Sequence, residues 1–81
     1  MILAADTPTD SGYSGSTQPI IQNLGPGNLY IGTSSENLDT EGLYLPAGAV
    51  YEFPAVLVEG PGQIWLQADA PDTDVRIINV G

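Results

Sequence analysis

Carboxylates are the side chains of this sequence that are numerous enough to suggest chemistry. Asp and Glu together number 10, and six of them lie in residues 34–41 and at Asp69, Asp72 and Asp74. Calcium binds six to eight oxygen ligands that converge on one point. Neither group of acids has the spacing of a known calcium loop such as the helix–loop–helix calcium hand. Solvated acidic loops are therefore the favoured interpretation, with calcium as the weaker alternative, and no metal site is predicted.

Paired carboxylates could also act as acid and base on a glycosidic bond. Glycosidases hold two carboxyl groups roughly 5–10 Å apart, and 10 acids would produce such a pair by chance. A cleft that encloses a sugar, however, needs more chain than 81 residues provide. Solvation beside strands or turns explains Glu52 and Glu59. The sequence therefore predicts no enzymatic activity and no catalytic residue.

The residue types that are missing exclude several further classes of function. The chain has no Lys, no His and no Cys, and Arg76 is its one basic side chain. A Ser or Cys nucleophile with a His or Lys base cannot be assembled, nor can a Cys/His zinc site or a disulfide. Nucleic-acid surfaces need clustered Lys and Arg, so no nucleic-acid partner is expected. Residues 25–27 form a plain turn, since a phosphate loop needs a following helix and a Lys, and no cofactor is predicted.

Aromatic side chains and Arg76 are the candidates for binding. Apart from one Phe, the aromatic residues are Tyr13, Tyr30, Tyr44, Tyr51 and Trp65. They could belong to the core, anchor a protein interface or stack on sugars, and in a small strand-rich domain the core is favoured. Arg76 is expected to pair with a carboxylate. That pair could lie within the chain, which is the favoured alternative, or across a subunit boundary.

Composition indicates one folded domain that is rich in turns. Hydrophobic residues make up 42% of the chain and charged residues 14%, whereas disordered chains combine low hydrophobicity with high charge. Gly and Pro number 10 and 7, which fits short strands joined by tight turns. No apolar run approaches the roughly 18 residues of a membrane span, so no membrane partner is expected. The first residues lack the basic region of a signal peptide, and synthesis in a cytoplasm is the default expectation.

The pattern of residues 17–81 predicts an all-β domain, a small β-sandwich or barrel of about six short strands. Turn signals separate these strands, and no helical period is present. Alternation along strands has a period of two. It predicts one face with Leu29, Ile31, Ile64, Leu66, Val75 and Ile77, and an opposite face with Tyr30, Trp65 and Ile78. Because both faces are partly apolar, one face is expected to be covered by the core of the domain and the other by a neighbouring subunit.

Residues 1–16 are predicted to form a flexible N-terminal arm. They are mostly small and polar, and such segments bury too little apolar surface to offset the entropy of ordering. Ile2, Leu3 and Tyr13 nevertheless lie within them. A frayed terminus and an arm that becomes ordered on a partner are both open. Domains of this size often depend on oligomerisation or docking for stability, which makes a protein partner plausible.

Five segments carry a resemblance to a known group of proteins. They are residues 29–34 (LYIGTS), 42–48 (GLYLPAG), 51–53 (YEF), 64–68 (IWLQA) and 75–77 (VRI). Their order is a strand that ends in a Tyr/aliphatic/Gly step, a polar loop, a Leu-x-Ala-Gly turn and closing strands. Over residues 28–80 the chain resembles small virion proteins of tailed bacteriophages, a group that includes capsid decoration proteins.

The resemblance implies a β-rich and often trimeric protein that is seated on the outer shell, in contact with the major capsid protein. Lambda-type decoration proteins commonly reach onto neighbouring capsid subunits with a flexible N-terminal arm, which residues 1–16 would suit. The candidate residues for binding the capsid or another subunit are Ile2, Leu3, Tyr13, Tyr30, Trp65 and Arg76.

The expected function is therefore that of a structural virion protein that stabilises a bacteriophage head. It would decorate the outer surface of the capsid, as a homotrimer, and clamp adjacent major capsid subunits. The formal charge of -9 favours the outside of the shell, because packaged DNA would repel it. Alternatives are another virion component, such as a tail or neck protein or a host-contacting surface module, and a carbohydrate-binding module.

Overall fold

The computed structural model describes residues 1–14, 18–53 and 63–79, which form eight strands and one short helix. The elements are β1 (Ile2–Leu3), β2 (Thr9–Ser14), β3 (Pro19–Gly25), β4 (Leu29–Gly32), α1 (Leu38–Glu41), β5 (Leu43–Leu45), β6 (Val50–Glu52), β7 (Gln63–Ala68) and β8 (Thr73–Asn79).

The strands form two four-stranded sheets that pack against each other. The first sheet has the order β1-β8-β3-β6 and the second has the order β2-β7-β4-β5. Neighbouring strands are antiparallel in both sheets. The predicted all-β sandwich is confirmed, and the described residues contain eight strands where about six were predicted for the chain.

Alternation along the strands separates the core from two outer faces. The core cluster consists of Leu3, Ile21, Leu29, Ile31, Leu45, Phe53, Ile64, Leu66, Ala68 and Val75. Register aligns this set between strands, since Ile31 lies opposite Leu66 and both are buried. The predicted inward face is confirmed, with Ile77 only half-buried at its end. Tyr30, Trp65 and Ile78 occupy the opposite, outward positions, as predicted.

The first 14 residues belong to the sandwich, which corrects the prediction of a flexible arm over residues 1–16. β1 pairs with β8 and β2 pairs with β7. Leu3 is 2% exposed and lies in the core. β2 escaped prediction because its inward positions hold Ser11, which is buried, and Tyr13, which is half-buried, so its hydrophobic alternation is weak. The Ser11 hydroxyl has a local hydrogen-bond partner, because it accepts from the Tyr13 amide at 3.1 Å. Residues 15–17 lie outside the described ranges.

Asn23 joins the two sheets at one end of the sandwich. Its side chain is fully buried in β3, where its Nδ2 donates to the carbonyls of Gly27 and Leu45, both at 3.0 Å. Its Oδ1 accepts from the amide of Gly25 at 2.9 Å. Leu45 ends β5 in the second sheet, so one amide group connects both sheets with the turn that follows β3. Both hydrogens and the oxygen of the amide are used.

The turn at residues 25–28 is also held by Thr73 at the start of β8 and by Asp69 in the loop after β7. The amide of Gly27 donates to the Thr73 hydroxyl at 3.1 Å, and the Asp69 carboxylate accepts from the amide of Asn28 at 2.7 Å and its side chain at 3.0 Å. A Cβ at position 27 would lie 2.6 Å from the Thr73 hydroxyl oxygen and 2.8 Å from Asp69 Oδ1. Glycine is therefore required at position 27 for the turn to pack this closely.

Replacing Asn23 with Ala is expected to lower the free energy of unfolding by about 2–4 kcal/mol, because the buried carbonyls of Gly27 and Leu45 would lose their donor. Urea unfolding followed by Trp65 fluorescence measures the change. The matched control is Gln22→Ala, which removes an exposed side-chain amide from the preceding position of β3 and is expected to cost no more than about 0.5 kcal/mol. Equal losses in the two variants would contradict the connecting role of Asn23.

Candidate binding surfaces

The outward positions of the first sheet form an aliphatic surface. Ile20, Val50 and Ile78 come from β3, β6 and β8, and Gln22 and Arg76 lie among them. Register places Gln22 between Arg76 and Val50, and it places Ile20 beside Ile78. Together these residues line one depression on the outside of the sheet. They are called the aliphatic face below.

Exposure of the aliphatic face is high for side chains of its kind. Ile78 is 60% exposed and Val50 is 52% exposed. Ile2, at the β1 edge of the same sheet, is 62% exposed. Single exposed apolar residues are ordinary, but adjacent ones on a sheet face mark interaction surfaces. Sequence reasoning missed Ile20 and Val50 as binding candidates. The sequence feature that could have identified them is that each directly precedes an inward-facing strand residue, Ile21 or Tyr51, and so faces outward.

Arg76 pairs with a carboxylate of its own chain, as the favoured prediction had it. Its Nη2 lies 3.1 Å from Asp74 Oδ2, and its Nε donates to Asp74 Oδ1 at 3.3 Å. The Met1 amino group also lies 3.8 Å from Asp74 Oδ1. The hydrogen bond from Arg76 is the main cause that holds the pKa of Asp74 below its ordinary value. The one basic side chain of the protein is thus already paired with an acid of its own chain where it lines the aliphatic face.

The outward positions of the second sheet carry aromatic side chains. Tyr30 in β4 lies opposite Tyr44 in β5, with ring centroids 5.7 Å apart and planes inclined by 50°. Trp65 in β7 lies one diagonal step from Tyr30, because its own register partner is Gly32. Tyr44 is 57% exposed, and Tyr30 and Trp65 are half-buried. Tyr30, Tyr44 and Trp65 are called the aromatic face below.

Helix α1 closes one side of the aromatic face. Leu38 is 2% exposed but lies outside the main core cluster. A Cβ at Gly32 would lie 2.7 Å from Leu38 Cδ2, so Leu38 fills the space that a side chain at position 32 would occupy. Because Gly32 is the register partner of Trp65, Leu38 packs beside the indole position. The acidic loop predicted over residues 34–41 thus makes an apolar contact with the sheet, and Leu38 is the residue that signals it.

Polar side chains border the aromatic face at its β2 edge. Asp10 is the register partner of Trp65. Its Oδ1 accepts hydrogen bonds from the Gly12 amide and from Gln63 Nε2, each at 2.9 Å. The Gly12 hydrogen bond, followed by that of Gln63, holds the pKa of Asp10 below its ordinary value. A charged carboxylate with an oriented carboxamide therefore stands next to the aromatic rings.

The predicted binding residues do not form one site. Leu3 is in the core, so its prediction as a contact residue is corrected: a side chain that is 2% exposed has no surface to offer a partner. Ile2 and Arg76 lie on the outside of the first sheet, and Tyr30 and Trp65 lie on the outside of the second. Tyr13 lines a separate depression between the sheets with Met1, Ser11, Val75, Arg76 and Ile77.

Within the three described ranges, no group of three or more His, Cys, Asp or Glu side chains is arranged to hold a metal ion. The same part of the chain contains no helix of sufficient length and apolar character to cross a membrane.

Substituting Arg76 with Gln is expected to raise the pKa of Asp74 toward its ordinary value, since the largest stabilising partner of the carboxylate is lost. The folded-state pKa of Asp74 is lowered, so its contribution to stability is present above the ordinary Asp pKa and is lost as pH falls through the lowered value. NMR titration of the side-chain carboxyl carbons measures the pKa of Asp74 in each protein. Asp10, whose partners are Gly12 and Gln63, is the internal control. An unchanged Asp74 titration would contradict the pairing.

Comparisons with known proteins found no match for this chain. No protein-family model, no curated protein and no solved structure matches it. The resemblance to phage virion proteins therefore stays a prediction.

Proposed function

We propose that the protein is a structural virion component that docks on the outer surface of a bacteriophage capsid through its aliphatic face and stabilises the shell. The observation that carries the proposal is the set of neighbouring aliphatic side chains on the outside of the first sheet, the exposed Val50 and Ile78 with the half-buried Ile20. The resemblance of residues 28–80 to small virion proteins supplies the class of partner.

The aliphatic face suits docking because three of its five side chains are aliphatic and because it lies on regular sheet. Burial of apolar surface contributes about 25 cal/mol per Å², part of which is offset by the entropy that association loses. Ile20 and Ile78 face each other across hydrogen-bonded strands, and Val50 comes from the strand on the far side of β3. Their backbone needs no ordering on binding, so a smaller part of the contact energy is lost.

Charge favours a different protein over a second copy as the occupant of this face. The formal charge is -9, and Glu52 lies opposite Ile20 at the border of the face. Arg76 is already paired with Asp74. Two copies that met through this face would bring acidic borders together, whereas a capsid surface with an apolar centre and a basic rim would complement it. The homotrimer implied by the resemblance would then form through other surfaces.

Stabilisation of the shell would follow from selective binding. A protein that binds the expanded shell and not its precursor favours the expanded state by mass action. A copy that spans the joint between two capsid subunits would connect them. The acidic charge would keep free copies soluble until they dock.

Co-sedimentation with empty shells of the phage that encodes the protein, before and after expansion, tests the proposal. We expect near-saturating binding to the expanded form. Ile78→Glu should weaken binding at least tenfold, because docking would bury an unpaired carboxylate. Leu43→Glu is the matched control, since Leu43 is 51% exposed but lies in the second sheet.

Two results would overturn the proposal. Wild-type protein that pellets with neither form of the shell would remove capsid docking. Equal losses for Ile78→Glu and Leu43→Glu, with both variants folded by circular dichroism, would remove the aliphatic face as the contact. A copy number of a few per particle would replace decoration with a role in the tail or neck.

A further inference from the structure

The two outer faces of the sandwich differ in chemistry. The aliphatic face presents isoleucine and valine, whereas the face on the opposite side presents two tyrosines and a tryptophan beside a carboxylate and a carboxamide. Aromatic rings bordered by planar hydrogen-bonding groups match a ligand that is itself amphipathic. From this contrast we propose that the aromatic face, Tyr30, Tyr44 and Trp65, binds an uncharged oligosaccharide. The inference does not depend on capsid docking.

Ring geometry leaves aromatic surface open to a ligand. Tyr30 and Tyr44 are inclined by 50° with centroids 5.7 Å apart, so they contact each other without stacking face to face. Tyr44 is 57% exposed. The face of an aromatic ring carries negative charge density, which attracts the polarised C–H groups on the flat side of a pyranose. The inclined pair therefore provides stacking positions of the kind that sugars use.

The aromatic face is wide enough to contact more than one sugar ring. The three aromatic residues come from β7, β4 and β5, which are consecutive in the second sheet. Strands lie about 4.8 Å apart, so the outer two of these strands are about 10 Å apart, which is enough for two or three sugar rings. Leu38 packs against Gly32, the register partner of Trp65, on the same side of the sheet.

Hydrogen-bonding groups for hydroxyls lie at the edge of the rings. The Gly12 amide and Gln63 Nε2 both donate to Oδ1 of Asp10. Oδ2 of this exposed carboxylate is then directed to solvent or to a ligand hydroxyl. Asp10 lies directly opposite Trp65, so a sugar stacked on the indole would have an oriented acceptor within reach.

Charge restricts the ligand to uncharged sugars. Arg76, the one basic side chain of the protein, lies on the first sheet and is paired with Asp74. Asp10 would repel a carboxylate, sulfate or phosphate group on a glycan, and no Lys or Arg stands on this face to compensate. Neutral hexose and N-acetylhexosamine chains fit this constraint, and sialylated or uronic-acid chains do not.

Titration of the full-length free protein with neutral trisaccharides of glucose, mannose, galactose and N-acetylglucosamine tests the inference. Trp65 is the one tryptophan, so its fluorescence reports on this face alone. We expect a saturable change with at least one sugar, together with NMR amide shifts confined to the second sheet, β2, β4, β5 and β7. Tyr44→Ala should weaken that binding at least tenfold. The matched control Leu43→Ala, at the preceding exposed position of β5, should leave it within twofold.

The inference is overturned if every neutral sugar leaves the fluorescence and the amide shifts unchanged. It is also overturned if Tyr44→Ala, folded by NMR, binds as well as wild type, or if an oligosaccharide of galacturonic acid binds more tightly than its neutral counterpart. Because no shell is present in these titrations, their failure is distinct from a failure of capsid docking, which the Ile78→Glu variant reports.

Discussion

The buried side-chain amide of Asn23 is the interaction on which the placement of both outer faces depends. It connects β3, which carries Ile20, to β5, which carries Tyr44, through the carbonyl of Leu45. A buried amide is costly unless all its groups are satisfied, and here the fixed turn at Gly27 supplies one of its acceptors. A shift of β3 by one residue would turn this amide outward. The carbonyls of Gly27 and Leu45 would then lose their hydrogen-bond donor. One polar group in the core thus selects a single register and, with it, which residues face outward.

Strong alternation is what made the larger part of this fold predictable from the sequence. β4, β7 and β8 each place branched or aromatic residues at every second position, so their inward and outward sides follow from period alone. β1 and β2 lack that signal. Ser11 can be buried without a large cost because the Tyr13 amide donates a hydrogen bond to its hydroxyl. Helix α1 could not be foreseen either, since a single apolar residue, Leu38, attaches a polar loop to the sheet through a contact with Gly32.

The sequence could predict which side chains face outward, but not which of them come together on one surface. Alternation assigned Tyr30, Trp65 and Ile78 to outward positions, and the structure agrees. It could not say that Ile78 and Val50 share a face, because their proximity comes from pairing of both β8 and β6 with β3. Pairing of strands that are distant in the chain is information that a local pattern does not contain. The exposed apolar groups separate into aliphatic and aromatic sets only once the two sheets are known.

Short strand edges have a consequence for how such a protein can remain in solution. Open edges with unpaired amides and carbonyls invite further strands and lead to aggregation. In the described part of the chain, three of the four edge strands, β1, β5 and β6, are only two or three residues long. The fourth, β2, has a register shift between Asp10 and Ser14. An apolar sheet surface can therefore stay exposed without offering a template for fibril growth.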